Sequence, residues 1–271
     1  MCRLVAYLGK PVRLERVISE PEHSLVVQSY RPAEMTSGVV NADGFGVGWY
    51  NRALEDTPCV YKSPSPIWGD QNLSALGRHI VSECIVANVR SATPGQAVDY
   101  SNCQPFSFGP LLFMHNGYIE NFRSTLMRQM RDVLPDDYYA AVAGSTDSEH
   151  IFALLLHFLH GRPLSLQTMA TAISETSDQL LRWAAAKGVR LALNLALTNG
   201  EYVFASRCAS NPPAPSLYYT TSNALFPQAA VIASERLSVS PDWSIVPEGN
   251  IVAFDAQLNF HRYTLQTQAA V

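Results

Sequence analysis

The N-terminal stretch Met1-Cys2-Arg3-Leu4-Val5-Ala6-Tyr7-Leu8 places a cysteine directly after the initiator methionine. Because the Cys2 side chain is small, we expect Met1 to be removed, which would leave Cys2 with a thiol and a free α-amino group. Their unperturbed pKa values are about 8.5 and about 8, so the amine can serve as the base for the neighbouring thiol. The apolar residues 4–8 predict a strand that anchors this terminus in a sheet. The alternative is that Cys2 is simply a small buried residue at the start of an edge strand.

Composition limits the class of protein. The 271 residues are 47% hydrophobic, with a formal net charge of −4, so we expect a real core and neither nucleic acid nor membrane as a partner. We expect no transmembrane helix and no signal peptide. The five cysteines are widely spaced without a CxxC pair, which favours reduced thiols in a cytoplasmic protein. We therefore expect no disulfide framework and no zinc site. We also expect no other metal site and no cofactor.

Hydrophobic patterns predict strands at both ends of the chain and helices in the middle. The predicted strands are 4–8, 84–90, 111–114, 190–198, 201–205, 217–221, 230–233 and 251–254. The predicted helices are 21–29, 73–82, 147–160 and 165–187, with 118–144 partly helical. Two sheets with helices packed outside or between them fit this order. Because no linker, repeat or low-complexity tract interrupts the chain, we expect one domain spanning residues 1–271.

Local motifs refine these elements. Gly44, Gly46 and Gly48 predict a loop that runs into a strand with close backbone approach. Thr146 and Glu149 have capping-box spacing at the start of the helix 147–160. Asn199-Gly200 predicts a two-residue hairpin turn.

Three further segments carry chemistry that complements Cys2. Arg90 ends a strand and can hold a carboxylate by two parallel hydrogen bonds. The Asn116 amide and the Gly117 backbone N–H can stabilise an oxyanion, and Asp147 suits a substrate ammonium group. Each has a simpler alternative, namely a surface charge, a turn and a residue favoured by the helix dipole. Together they describe a pocket for an α-amino acid whose acyl group faces a cysteine.

The ordered set of motifs resembles the class II glutamine amidotransferase domain of the N-terminal-nucleophile hydrolases. The matching segments are Met1-Cys2, Asn41 to Gly46, Arg90-Ser91-Ala92-Thr93, His115-Asn116-Gly117 and Thr146-Asp147-Ser148-Glu149. The resemblance implies an α+β fold, a four-layer αββα sandwich of two antiparallel sheets. It also implies site roles, which are nucleophile and base for Cys2, oxyanion donors for Asn116 and Gly117, carboxylate binding for Arg90, amino-group binding for Asp147 and pocket shape for Thr93.

Within that family, residues 23–30, 41–49, 66–70 and 90–93 are most similar to ergothioneine-pathway members, which hydrolyse the amide between glutamate and hercynylcysteine sulfoxide. The resemblance therefore implies a γ-glutamyl amidohydrolase that forms a glutamyl thioester on Cys2. The chain has no further phosphosugar, nucleotide or ATP motif, which favours a hydrolase without a second domain. One alternative is a glutaminase subunit that supplies ammonia to a separate synthase. Another is a binding or scaffold protein on a retired hydrolase fold, and a homodimer is also open.

Overall fold

The computed structural model describes residues 2–35, 38–93 and 95–266, so Met1 and its predicted removal lie outside the described residues. In chain order the strands are β1 (Arg3–Arg13), β2 (Phe45–Trp49), β3 (Cys59–Ser63), β4 (Val81–Val89), β5 (Phe106–Phe108), β6 (Leu111–Ile119), β7 (Leu191–Thr198), β8 (Val203–Ala209), β9 (Tyr218–Thr221), β10 (Ala229–Ala233), β11 (Ser244–Ile245), β12 (Asn250–Phe254) and β13 (Phe260–Thr264). The α-helices are α1 (Leu14–Ile18), α2 (Leu25–Tyr30), α3 (Leu73–His79), α4 (Phe122–Thr125), α5 (Met127–Asp132), α6 (Asp136–Ala140), α7 (Asp147–Leu159) and α8 (Leu166–Lys187).

Within the described residues these strands form two antiparallel sheets. The first sheet has the order β11-β9-β10-β1-β4-β2-β3, and the second has the order β13-β12-β8-β7-β6-β5. Strand β1 is central in the first sheet because it pairs with β10 on one side and β4 on the other. The N-terminus is therefore held in the middle of a sheet, and not at an edge.

Alternating side chains of each strand point to opposite faces, and this alternation builds three apolar layers. The inner faces of both sheets meet in one cluster, which includes Leu4 and Val86 from the first sheet and Met114 from the second. The outer face of the first sheet is covered by α1, α2 and α3. The outer face of the second sheet is covered by α5, α7 and α8. The predicted four-layer αββα sandwich is confirmed.

Most predicted elements are present, with shifted ends. The helix predicted at 73–82 stops at His79, because Val81 and Ser82 already pair with β1 in strand β4. Thr146 caps α7 by accepting a hydrogen bond from the Glu149 N–H (3.2 Å). The Glu149 carboxylate does not complete a capping box, since it accepts from the backbone N–H groups of Ala143 and Gly144 instead.

One predicted turn and one predicted strand end were wrong. The connection between β7 and β8 runs from Asn199 to Tyr202, because the Asn199 side chain accepts from the Glu201 and Tyr202 N–H groups and widens the turn. The strand predicted to end at Met114 continues to Ile119 as β6. His115-Asn116-Gly117 therefore lies inside a paired strand, and not in a turn after it.

Among the described residues, no helix combines the length and apolar character needed to cross a membrane.

Candidate active site

Cys2 immediately precedes β1, on the inner face of the first sheet. Arg3 pairs with Val89 and Leu4 with Asn88, so continuing the register places Cys2 opposite Arg90. Because side chains two residues apart share a face, Cys2 points to the same side as Leu4, into the space between the sheets. The Cys2 thiol is partly buried and lies 4.0 Å from the Ser91 carbonyl oxygen, to which it donates a long hydrogen bond. The structure thus places Cys2 and Arg90 at neighbouring positions of adjacent strands.

The Arg90 side chain is a buried cation surrounded by neutral acceptors. Its Nη1 donates to the carbonyl oxygens of Asp43 and Ala97, both at 3.2 Å, and its Nη2 donates to the Gln96 amide oxygen at 3.2 Å. No side-chain carboxylate in the described part of the chain forms an ion pair with it. Burying a charge without a counter-ion is costly, so this arrangement suits a carboxylate supplied by a ligand.

The loop before β2 is hydrogen-bonded to the segment that carries Arg90. The Asp43 N–H donates to the Arg90 carbonyl (3.0 Å), and the Asp43 carboxylate accepts from the Ala92 N–H (2.8 Å). Gly44 has φ +114°, and a Cβ there would lie 2.5 Å from the Cys103 sulfur. This is the close backbone approach that the glycine-rich stretch predicted.

Asn116 and Gly117 come from the opposite sheet. The Asn116 side chain is fully buried, and neither its amide oxygen nor its amide nitrogen has a hydrogen-bond partner. Gly117 pairs with Leu193 in β7, and a Cβ at this position would overlap the Ala192 carbonyl oxygen and the His115 ring. Glycine is therefore required here by close packing inside a strand.

His115 supports this strand from behind. Its Nε2 lies 3.0 Å from the Ala192 carbonyl oxygen and its Nδ1 lies 2.9 Å from the Ser148 hydroxyl. Because a carbonyl can only accept, Nε2 carries the proton and Nδ1 accepts from the Ser148 hydroxyl. Burial lowers the pKa of His115, although the Asp147 carboxylate opposes that shift. A neutral, doubly hydrogen-bonded ring thus connects β6 to the first turn of α7.

Asp147 and Thr93 are the two remaining predicted substrate-binding residues. The Asp147 carboxylate accepts from the Ile119 N–H and the Ser148 N–H, both at 2.8 Å, at the end of β6. Thr93 is exposed, and its carbonyl accepts from the Gln96 N–H in the turn that follows Arg90. Their substrate-binding roles stay predictions.

Sequence reasoning did not single out a second polar cluster, on the outer face of the first sheet. The Glu235 carboxylate accepts from Arg3 Nη1 (3.0 Å), from His23 Nε2 (2.7 Å) and from the Ala33 and Glu34 N–H groups. Arg3 and Glu235 are both essentially inaccessible to solvent. Burial alone would raise the pKa of Glu235, but these hydrogen bonds and the Arg3 charge lower it below its ordinary value. This cluster anchors the residue that follows Cys2.

Sequence reasoning also missed two buried asparagines, Asn88 in β4 and Asn194 in β7. Each occupies an inward position of an otherwise apolar strand, and that break in the alternation was the available signal.

The remaining cysteines differ from Cys2 in their surroundings. Burial raises the pKa of the Cys84 and Cys208 thiols to about 12, and it raises that of Cys103 as well. Cys59 is exposed on β3, and none of the five cysteines forms a disulfide. The buried three are protonated at neutral pH and are therefore poor nucleophiles.

Comparison with known proteins identifies the family. The family model of class II glutamine amidotransferases matches residues 19–229. The probable glutamine amidotransferase DUG3 of Saccharomyces cerevisiae is 32% identical, over 95% of this chain and 82% of its own. The γ-glutamyl-hercynylcysteine sulfoxide hydrolase of Mycolicibacterium smegmatis is 32% identical, over 93% of this chain and 95% of its own. A solved class II glutamine amidotransferase-domain protein from Silicibacter pomeroyi superposes with a TM-score of 0.70 at 26% identity, over 97% of this chain and 99% of that protein.

The two facing antiparallel sheets and their outer helices define an N-terminal-nucleophile hydrolase fold. The chain belongs to the class II glutamine amidotransferase family, and it is an amidohydrolase of that type.

Proposed function

We propose that residues 1–271 act as one domain that hydrolyses a γ-glutamyl amide, with Cys2 as the nucleophile once Met1 has been removed. The observation that supports this proposal is that three groups face the space between the sheets. Cys2 and Arg90 are neighbours on one inner face, and the unpartnered Asn116 amide belongs to the other. A nucleophile, a cation without a counter-ion and free hydrogen-bond donors are what a γ-glutamyl group requires.

In this mechanism the Cys2 sulfur attacks the γ-carbonyl carbon while the Cys2 α-amine takes the thiol proton. The Asn116 amide and the Gly117 N–H stabilise the oxyanion. Collapse of that intermediate breaks the C–N bond, the amine passes the proton to the leaving nitrogen, and a glutamyl thioester remains. Water then attacks the thioester, and glutamate and the free thiol are released. Arg90 binds the α-carboxylate, Asp147 the α-amino group, and Thr93 shapes the pocket.

For the substrate we propose γ-glutamyl hercynylcysteine sulfoxide, as in ergothioneine biosynthesis. Support comes from the mycobacterial relative that is named as the hydrolase of this compound and that aligns over nearly its whole length. A cytoplasmic location accords with five free cysteines.

A second candidate is a glutaminase subunit that delivers ammonia to a separate synthase chain. The yeast relative, named a probable glutamine amidotransferase, favours it. Here free glutamine would be the substrate, and its turnover would rise when the partner is present.

Turnover of a panel of γ-glutamyl amides by the processed enzyme tests both candidates. Preference for the hercynylcysteine sulfoxide conjugate over glutamine supports the first, and the reverse preference supports the second. An intact mass that still includes Met1, together with no Cys2-dependent activity on any amide, would overturn both. Cys2-dependent activity is measured by comparing the wild type with Cys2→Ala. The matched control for that variant is Cys59→Ala, since Cys59 is exposed and lies outside the space between the sheets.

A further inference from the structure

Three asparagines between the sheets carry amide groups without partners. Asn88, Asn116 and Asn194 are all fully buried. Both amide atoms of Asn88 and of Asn116 are unpartnered, and so is the amide oxygen of Asn194. An unpaired buried polar atom costs about 1–3 kcal/mol, so three such groups at one place indicate a function that needs them.

The hydrogen bonds of Asn194 determine which of its amide atoms is free. The Asn194 Nδ2 donates to the carbonyl oxygens of Pro215 (3.0 Å) and Ser216 (3.1 Å). Both of its protons are used, so the free Asn194 atom is a pure acceptor. Asn194 also pairs directly with Asn116 across β6 and β7.

Asn88 belongs to the facing sheet and lies at the same level along the strands. Cys84 and Thr198 touch across the two sheets, with Sγ and Oγ1 3.3 Å apart. Asn88 lies four residues beyond Cys84, and Asn194 lies four residues before Thr198, which is about 13 Å of strand in each case.

Two glycines of β2 show that the path from Cys84 to Asn88 and the path from Thr198 to Asn194 run in the same direction. Gly48 pairs with Val86, and a Cβ on it would lie 2.6 Å from the Leu112 side chain. Gly46 pairs with Asn88 and packs against the Gln104 backbone. The Gln104 side chain in turn binds both the N–H and the carbonyl of His115. The direction from Val86 to Asn88 along β4 is therefore the same as the direction from Leu112 to Asn116 along β6 in the facing sheet.

We propose that Asn88 is a positioning residue for the Asn116 oxyanion donor, an inference that rests on the function proposed above. In the substrate complex, bridging solvent connects the Asn88 Nδ2 to the Asn116 Oδ1 and one Asn116 N–H to the Asn194 Oδ1, since none of these atoms has a direct partner within the chain. The other Asn116 N–H is then aimed at the γ-carbonyl oxygen. Without Asn88 the Asn116 amide can rotate and present its oxygen to a developing negative charge.

Asn88→Leu tests this assignment, because leucine keeps the branched shape of the side chain and removes the donor. We expect kcat to fall about 10- to 100-fold with KM unchanged, since the donor acts on the transition state. In an Asn116→Ala background the same substitution should change kcat by less than about twofold. Val86→Ala is the matched control, because it alters an inward side chain of the same strand, and its effect on kcat should be small and the same in both backgrounds.

A second measurement separates this inference from the proposed function. A glutamine-like diazoketone alkylates a nucleophilic Cys2, and mass spectrometry gives the labelling rate. Slower labelling of Asn88→Leu than of the wild type, by about 10-fold or more, supports the positioning role. Equal labelling of the two proteins, or equal losses of kcat in both Asn116 backgrounds, overturns the Asn88 assignment alone. A wild type that is not labelled at Cys2 overturns the proposed function and the assignment with it.

Discussion

Polar groups on the two sides of the N-terminal end of β1 differ in how completely their hydrogen bonds are satisfied. On the outer face, the Glu235 carboxylate accepts four hydrogen bonds, among them one from Arg3. On the inner face, the Asn116 amide has no partner and Arg90 has no carboxylate among the described residues. Both oxygens of the Glu235 carboxylate are satisfied within the chain, although the Nε and Nη2 atoms of Arg3 have no partner, whereas neither polar atom of the Asn116 amide has one. Because buried polar groups ordinarily find partners, the contrast separates a carboxylate that anchors the sheet from an amide that is left for a ligand.

The largest effect that would sharpen this contrast is loss of the proposed nucleophile. Cys2→Ala should reduce γ-glutamyl hydrolysis by at least about 10⁴-fold and leave the midpoint of thermal unfolding unchanged, because a partly buried thiol contributes little packing. Steady-state rates and calorimetry on the same samples measure both quantities. Full activity in this variant would contradict the proposed chemistry.

On the outer face the effect should appear in stability. Glu235→Ala leaves the buried Arg3 guanidinium without its carboxylate, and we expect a loss of about 3–5 kcal/mol in the free energy of unfolding. Urea denaturation measures it. The matched control is Glu175→Ala, which breaks the exposed ion pair with Arg162 and should cost less than about 1 kcal/mol. Equal losses in the two variants would remove the distinction between the faces.

Asn116→Ala should show the reverse pattern to Glu235→Ala. We expect kcat to fall about 100- to 1,000-fold, because an oxyanion donor is lost, with the free energy of unfolding changed by no more than about 1 kcal/mol, because the deleted amide has no partner to leave behind. Kinetics and denaturation of one preparation test both parts. A stability loss as large as that of Glu235→Ala would show that the amide is structural.

The smallest effect is a pH dependence of stability. The Glu235 pKa is lower in the folded chain than its ordinary value of 4.5, so its stabilising contribution is complete above that value and is lost as the pH falls through the folded pKa. The difference in unfolding free energy between wild type and Glu235→Gln should therefore shrink between pH 6 and pH 3. A difference that stays constant over this range would contradict the role of the ionised carboxylate.

Sequence patterns predicted the positions of Cys2 and Arg90 because both residues lie at the ends of strongly apolar strands. The apolar run from Cys84 to Val89 predicted a strand that ends at Arg90, and in the structure Arg90 directly follows β4. The strand was predicted to end before Asn116-Gly117, and the simpler alternative for that pair was a turn. Here Gly117 is needed inside β6, where a Cβ would overlap the Ala192 carbonyl oxygen. That packing depends on a strand more than 70 residues away, which no local pattern can express.

By itself the sequence determined the chemical groups and their order, namely a cysteine after Met1, an arginine after a strand, an asparagine-glycine pair and an aspartate at a helix start. Only the tertiary structure decided which polar groups find partners. The Arg3 and Glu235 side chains meet across 232 residues of chain, while Asn88 and Asn116 are buried without partners. Hydrogen-bond satisfaction depends on the side chains that folding brings together, and those contacts are set by the sheets as a whole and not by neighbours along the chain.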